Sequence, residues 1–166
     1  YGTNNSIVKR KVINVYGGGT GFFRSLEKLL VDPGYDLHNK KLLKELKKLY
    51  GNGFAIGLHQ SYGAWDNSLK MMEEKISLEQ YLDIRVLTCR QHWLKFSFSK
   101  TWFSQARSGF VEDTTLGFND RVGFRNGAAI RFSPIDMIDE PIEFESVPMI
   151  LMDSHLYDYN NFNSLE

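Results

Sequence analysis

The sequence predicts a mixed α/β fold built on parallel strands, and three observations support this prediction. Short runs of β-branched and aromatic residues alternate with longer segments in which apolar residues recur every three or four positions. Glycine, asparagine and proline residues typical of turns separate these segments. Polar side chains follow the predicted strands at their carboxyl ends, which is the edge where parallel α/β folds carry their active sites.

The predicted elements alternate in type along the chain. The strands are expected at residues 12–16, 54–58, 84–89 and 147–152, with another that starts at residues 110–111 and delivers Asp113. The helices are expected at residues 22–30, from a cap at Asp36 or Asn39 to Leu49, at 66–82 and at 100–108. This order of strand, helix and strand is that of a parallel α/β domain.

Length and composition fit one globular domain spanning residues 1–166. Lys plus Arg equals Asp plus Glu, 20 against 20, which argues against a nucleic-acid partner or an anionic membrane surface.

No apolar run approaches the length of a membrane span, and the single cysteine, Cys89, excludes an intrachain disulfide and leaves the compartment open. The aromatic share of 14% suits either a core or a sugar-binding groove, and composition does not choose between them. Leu165 and Glu166 resemble a cloning scar, which we exclude from the fold.

Candidate functional side chains stand at the ends of successive predicted strands. They are His59, Arg90 with His92, Asp113, and Asp153 with His155. Because carboxyl ends of parallel strands meet at one edge of a sheet, we expect these groups to lie together. Tyr62, Trp65 and Trp93 follow the same strand ends and are the best candidates for stacking on a sugar ring.

Three blocks of sequence carry a family resemblance. They read IGLHQSY at residues 56–62, RQHWLKF at 90–96, and EDTTLGF with RVGFR at 112–118 and 121–125. In this order and spacing they resemble the polysaccharide deacetylase (NodB-homology) family of carbohydrate esterases, in particular a bacterial subgroup. The resemblance extends over residues 33–159.

The resemblance implies both a fold and a reaction. The fold would be an irregular (β/α) barrel, incomplete in this chain. The reaction would be hydrolysis of acetyl groups on an envelope or capsular polysaccharide in a bacterium. A divalent metal, with zinc as first choice, would polarise the carbonyl and activate water. The implied partner is therefore an acetylated carbohydrate.

Carried over position by position, the resemblance makes His59 the first metal-binding histidine. The second histidine of that motif would fall at Gly63, and we expect His92 to replace it. Arg90 and Asp113 would orient and tune the catalytic carboxylate. Asp153 stands where the family has its acid histidine, with His155 two residues later. The Thr-Phe-Asp-Asp motif that opens the family and supplies the metal aspartate and the base is missing.

Each candidate also has a structural interpretation. Arg90 and Asp113 would form a buried ion pair, His92 would be a buried imidazole bonded to Asp113 or to a backbone carbonyl, and His155 would lie on an exposed terminal loop. At the level of the whole chain, the missing motif and Gly63 favour a second hypothesis, a non-catalytic carbohydrate-binding or structural relative of the enzymes. An incomplete barrel exposes a strand edge, so we also expect a homodimer as one way to cover it.

Overall fold

The computed structural model describes residues 36–134 and 143–156, together with the backbone of residues 12–16. Its centre is a five-stranded sheet in which each strand pairs in parallel with the next one along the chain. The strands are β1 (Val12–Tyr16), β2 (Ala55–Gln60), β3 (Thr88–Gln91), β4 (Glu112–Asp113) and β5 (Glu145–Ser146). The predicted α/β class with a parallel sheet is therefore confirmed. Among the described strands β1 and β5 form the two edges, so the sheet that they make is open.

The first described helix, α1 (Lys40–Gly51), connects β1 to β2 in the chain order. Its amino end is capped by Asn39, whose side chain accepts hydrogen bonds from the backbone N–H groups of Lys41 and Leu42. Of the two predicted caps, Asn39 rather than Asp36 is the one used. The helix ends at Gly51, and Asn52 is its carboxyl-terminal cap. The next residue, Gly53, has a φ angle of +85°, which a residue with a side chain would adopt only with strain.

Two further α-helices of the described residues are α2 (Ser68–Leu82) and α3 (Thr101–Arg107). The side chain of Asn67 caps α2 by accepting a hydrogen bond from the N–H of Lys70. The residues of α2 that are buried recur every three or four positions: Met71, Glu74, Leu78 and Leu82. This spacing places them on one face of the helix, which the core covers.

The core fills the space between the helices and one face of the sheet. That face carries Ile56, Leu58 and Cys89, which cluster with residues of the helices such as Met71 and Trp102. Because side chains alternate along a strand, His59 and Arg90 point to the opposite face. The described helices thus cover one side of the sheet, and these polar residues lie on its other side.

Two predicted strands are wrong in their positions. Strand β3 begins at Thr88 rather than at residue 84 because the backbone N–H of Val86 donates to the carboxylate of Glu79, at 2.8 Å. Residues 147–152 do not form a strand, and the last described strand is β5, upstream of them. Pro148 has no N–H for a ladder, and Met149 instead bonds to the carbonyl of Leu116 at 2.9 Å.

The predicted helix at residues 22–30 and the suspected cloning scar at Leu165 and Glu166 lie outside the described residues. Within the described part of the chain, no helix is both long and apolar enough to cross a membrane.

Candidate functional site

Strands β2 and β3 place His59 and Arg90 side by side. The two residues are partners in the parallel register, and each is the last residue but one of its strand. His92 follows directly, as the first residue of a short 3-10 helix, His92–Leu94. Sequence reasoning therefore placed these three groups correctly at one edge of the sheet.

A cleft of about 560 Å³ opens at this edge. Its lining combines strand ends with two loops that return from later in the chain. The lining residues are His59, Arg90, His92, Trp93, Leu94, Asn119, Leu151, Met152, Asp153 and Ser154. A cleft of this size with a few polar groups among apolar ones has the character of a ligand site.

The two histidines of the cleft are in contact. Their ring centroids lie 5.3 Å apart and the ring planes are nearly perpendicular, at 88°. Burial, with smaller contributions from His92 and from Arg90, lowers the pKa of His59 to about 3. His59 is therefore a neutral imidazole at neutral pH, which is the form whose lone pair can bind a metal or accept a hydrogen bond.

Trp93 is held in the cleft by an uncommon backbone turn. Both Trp93 and Leu94 have positive φ angles, 57° and 48°, a conformation that costs a residue with a side chain roughly 1 to 2 kcal/mol. The carbonyl of Trp93 accepts a hydrogen bond from the side-chain amide of Asn119 at 2.6 Å. The turn leaves the indole 59% exposed, with His92 stacked at 6.3 Å between ring centroids. Asn119 thus stabilises the turn that presents Trp93.

The residues predicted after the last strand take different places. Asp153 lines the cleft and is exposed, whereas His155 is 1% exposed and lies behind it. The Nδ1 atom of His155 accepts from the N–H of Met152 at 3.1 Å, and its Nε2 atom faces the carbonyl of Phe118 at 3.0 Å. The ring therefore ties the loop that carries Asp153 to the segment after β4. The alternative of an exposed terminal loop for His155 is wrong.

Asp113 lies on the helix-covered face of the sheet and is fully buried. Its carboxylate accepts hydrogen bonds from Gln105 at 3.0 Å, from Trp102 at 3.3 Å, and from both the N–H and the hydroxyl of Thr115. Burial raises the pKa of Asp113 to about 6, although these hydrogen bonds oppose that rise. Arg90 instead donates its Nε–H to the carbonyl and hydroxyl oxygens of Thr114. The described ion pairs do not include one between Arg90 and Asp113.

The aromatic residues predicted to bind substrate extend outward from the cleft. The ring of Tyr62 meets Trp93 edge to face at 6.5 Å. The ammonium group of Lys95 lies 4.1 Å above the Tyr62 ring and 5.1 Å from the Trp65 ring. Because Lys95 covers these two rings, Trp93 offers the most open stacking surface of the three.

The described residues bring together only some of the ligands that the metal implied by the resemblance would need. His59 and His92 have the right chemistry and are adjacent, but catalytic zinc sites use three protein ligands. Among the described residues, no three His, Cys, Asp or Glu side chains come together to hold a metal. The neighbouring strand β1 aligns Tyr16 with His59, and its sequence, VINVY, contains no carboxylate. The described residues therefore offer two candidate ligands and do not complete a three-ligand site.

Sequence reasoning missed the part of the cleft that comes from loops. Asn119, Met152 and Ser154 line it, although none of them belongs to the motifs. Asn119 is one residue beyond the third motif block, and a polar residue directly after Gly117-Phe118 was the only signal that pointed to it. The positions of Met152 and Ser154 depend on the contacts of His155, which no local pattern predicts.

Comparisons of the chain with protein-family models, with curated proteins and with solved structures find no match.

Proposed function

We propose that the cleft binds an acetylated carbohydrate and that the chain is a polysaccharide-deacetylase-type hydrolase. One observation carries the proposal: the His59–His92 pair, with ring centroids 5.3 Å apart, sits in a cleft beside the exposed indole of Trp93. Sugar rings stack their C–H faces on exposed aromatic rings. The histidine pair then lies within the same cleft as the bound sugar.

An incomplete (β/α) barrel of the deacetylase type is the fold that we propose for this site. The strands are parallel and follow one another in order, with helices packed on one face. The opposite face carries Thr88, Arg90, Glu112 and Glu145, in addition to His59. In a barrel segment this face would line the interior, with the ligand site at the carboxyl ends of the strands.

Four residues of the cleft and the buried Asp113 have a task in this proposal. His59 and His92 are the residues that would hold a divalent metal such as zinc, which polarises an acetyl carbonyl and lowers the pKa of water. Arg90 contributes a positive charge close to the reacting group, and Asp153 holds or accepts a proton at its exposed carboxylate. Asp113, buried on the other face, fixes Thr115 and thereby the end of β3, because the Thr115 hydroxyl accepts the N–H of Gln91 at 2.9 Å. It is a positioning residue.

Metal analysis and acetate release test the proposal together. The protein, loaded with zinc and dialysed, is expected to retain metal and to release acetate from an N-acetylated chitooligosaccharide. His59→Ala is expected to lose both properties because it removes a ligand. His38→Ala is the matched control, since His38 is an exposed histidine that bonds to Asp36 and Tyr81 outside the cleft. Absence of metal at every concentration tried contradicts the metal-dependent mechanism.

A non-catalytic carbohydrate-binding relative is the second candidate, and a specific observation favours it. The described residues provide only two of the three metal ligands, and β1 brings no carboxylate beside His59. Under this hypothesis the glycan binds saturably without acetate release, and a chelator does not alter the affinity. The variant Gly63→His separates the two candidates further. A Cβ atom at residue 63 would meet only the flexible end of Lys70, at 2.9 Å, so a side chain is accommodated there.

The comparison of Gly63→His with Gly63→Ala measures whether a third ligand is what the site lacks. A tighter retention of zinc in Gly63→His alone supports a deacetylase-type site that has lost its second motif histidine. Equal retention in both variants shows that residue 63 is not oriented toward the histidine pair.

We also propose a homodimer through the open sheet edge at β1, and light scattering that gives the monomer mass contradicts it.

A further inference from the structure

A band of aromatic and lysine side chains leads away from the cleft. It consists of Trp93, Tyr62, Lys95, Trp65 and Lys100, and we call it the lysine–aromatic strip. The ring centroids of Trp93 and Tyr62 are 6.5 Å apart. The Nζ atom of Lys95 lies 4.1 Å from the ring centroid of Tyr62 and 5.1 Å from that of Trp65. The Nζ atom of Lys100 lies 5.5 Å from the ring centroid of Trp65. The strip therefore continues the binding surface beyond the histidine pair.

The positive charge of the strip is local. The chain as a whole has equal numbers of acidic and basic residues, 20 of each, so a cationic surface is not a general property of the protein. Lys100 is partly neutralised by Asp66, whose carboxylate lies 3.7 Å away. Lys95 has no such compensation, since no carboxylate of a described residue is within ion-pair distance of it.

Two aromatic rings hold the Lys95 ammonium in place. Contacts of this kind orient the charge without satisfying it as a carboxylate would. Lys95 is half-buried, which reduces the screening of its charge by water and salt. Arg90 lines the adjoining cleft. Aromatic surface and oriented positive charge thus alternate along one continuous path.

We infer that the preferred ligand is an acetylated polysaccharide that carries carboxylate groups, as uronic acids do, rather than a neutral one. This inference rests on the proposed function, because it names the substrate class of the same cleft. The C–H face of a sugar ring stacks on Trp93, and the carboxylate of a neighbouring uronic acid pairs with the ammonium of Lys95. A neutral glycan uses the first contact only.

The test compares two oligosaccharides of equal length by calorimetry. One alternates N-acetylglucosamine with glucuronic acid, and the other is the same molecule after its carboxyl groups have been reduced to alcohols. At low ionic strength we expect the acidic form to bind about tenfold more tightly. Raising the ionic strength from about 0.01 M to about 0.1 M shortens the Debye length from about 30 Å to about 10 Å, and it is expected to weaken only the acidic ligand.

Lys95→Gln assigns the effect to one residue. It is expected to weaken the acidic ligand about threefold to fivefold and to leave the reduced ligand unchanged. Lys48→Gln is the matched control, because Lys48 is an exposed lysine on α1, 3.9 Å from Glu45 and outside the strip. If both ligands bind equally well to the wild-type protein, the inference is overturned while carbohydrate binding stands. If neither ligand binds, the proposed function fails and the inference fails with it.

Discussion

The two faces of the central strands treat ionisable side chains in different ways. On one face His59 looks into the cleft, and burial lowers its pKa to about 3. On the other face Asp113 lies under α3, and burial raises its pKa to about 6. In both cases burial disfavours the charged form. Asp113 accepts four hydrogen bonds from the protein, and His59 lines a cavity that a ligand can enter. One face holds the fold together and the other is available for binding.

The largest expected effect comes from removing the buried carboxylate. Asp113→Ala leaves the donors of Gln105, Trp102 and Thr115 buried without their acceptor, and we expect it to lower the free energy of unfolding by about 3 kcal/mol. His59→Ala is the counterpart on the open face, with an expected loss below about 1 kcal/mol. Urea denaturation of both variants measures the difference. Equal losses would contradict the division of labour between the two faces.

The pH dependence of stability separates the same two residues. The raised pKa of Asp113 gives a contribution that is complete below the ordinary value of 3.8 and is lost as the pH rises through about 6. The lowered pKa of His59 gives a contribution that is present above 6.5 and is lost as the pH falls toward about 3. Between about pH 4 and pH 6 the two slopes have opposite signs, so they cancel in the wild-type protein.

Each single variant should uncover the slope that the other residue causes. In His59→Ala we expect the free energy of unfolding to rise as the pH falls from about 6 to about 4, by up to about 1.4 kcal/mol per pH unit. In Asp113→Asn we expect it to fall over the same range. Denaturation in chelator-containing buffer at several pH values measures both slopes. Two variants with slopes of the same sign would contradict the direction of one of the two pKa shifts.

A smaller effect is expected from the turn that presents Trp93. Asn119→Ala removes the hydrogen bond to the Trp93 carbonyl, and we expect it to weaken oligosaccharide binding about threefold to fivefold without a large loss of stability. Trp93→Ala, which removes the stacking surface itself, is expected to cost about tenfold. Phe103→Ala is the control, because Phe103 is exposed on α3 and does not line the cleft. Calorimetry that finds Asn119→Ala equal to the wild type would show that the turn holds its shape unaided.

Much of the fold follows from local pattern. The leucine spacing predicts α1 and the apolar run predicts β2, because the apolar residues of both patterns are the ones that face the core. The position of β3 was missed because the Glu79 side chain, seven residues before Val86, takes the N–H that a strand would have used. The strand at residues 147–152 was wrongly predicted because apolar content outweighed the missing N–H of Pro148.

The candidate site divides in the same way. His59, Arg90 and His92 were predicted because they belong to strand ends, where position in the chain determines position in space. The opposite placement of Asp153 and His155, two residues apart, was not predictable, since it depends on the contacts of His155 with Met152 and Phe118. The covering of Tyr62 and Trp65 by Lys95 also escaped prediction, because it joins residues about thirty positions apart.

The left-handed backbone at Trp93 and Leu94 also determines where the cleft is easiest to open. A glycine pair would adopt this turn at little cost but would provide no indole. The chain instead holds two bulky residues in a strained backbone conformation, and the strain favours opening of the turn. The N–H of Lys95 closes the turn on the carbonyl of His92, at 3.3 Å. The exchange of this one amide with deuterated solvent therefore reports each opening of the turn. A ligand stacked on Trp93 should slow that exchange and leave the amides of α1 unaffected, so occupation of the cleft can be followed without a catalytic assay.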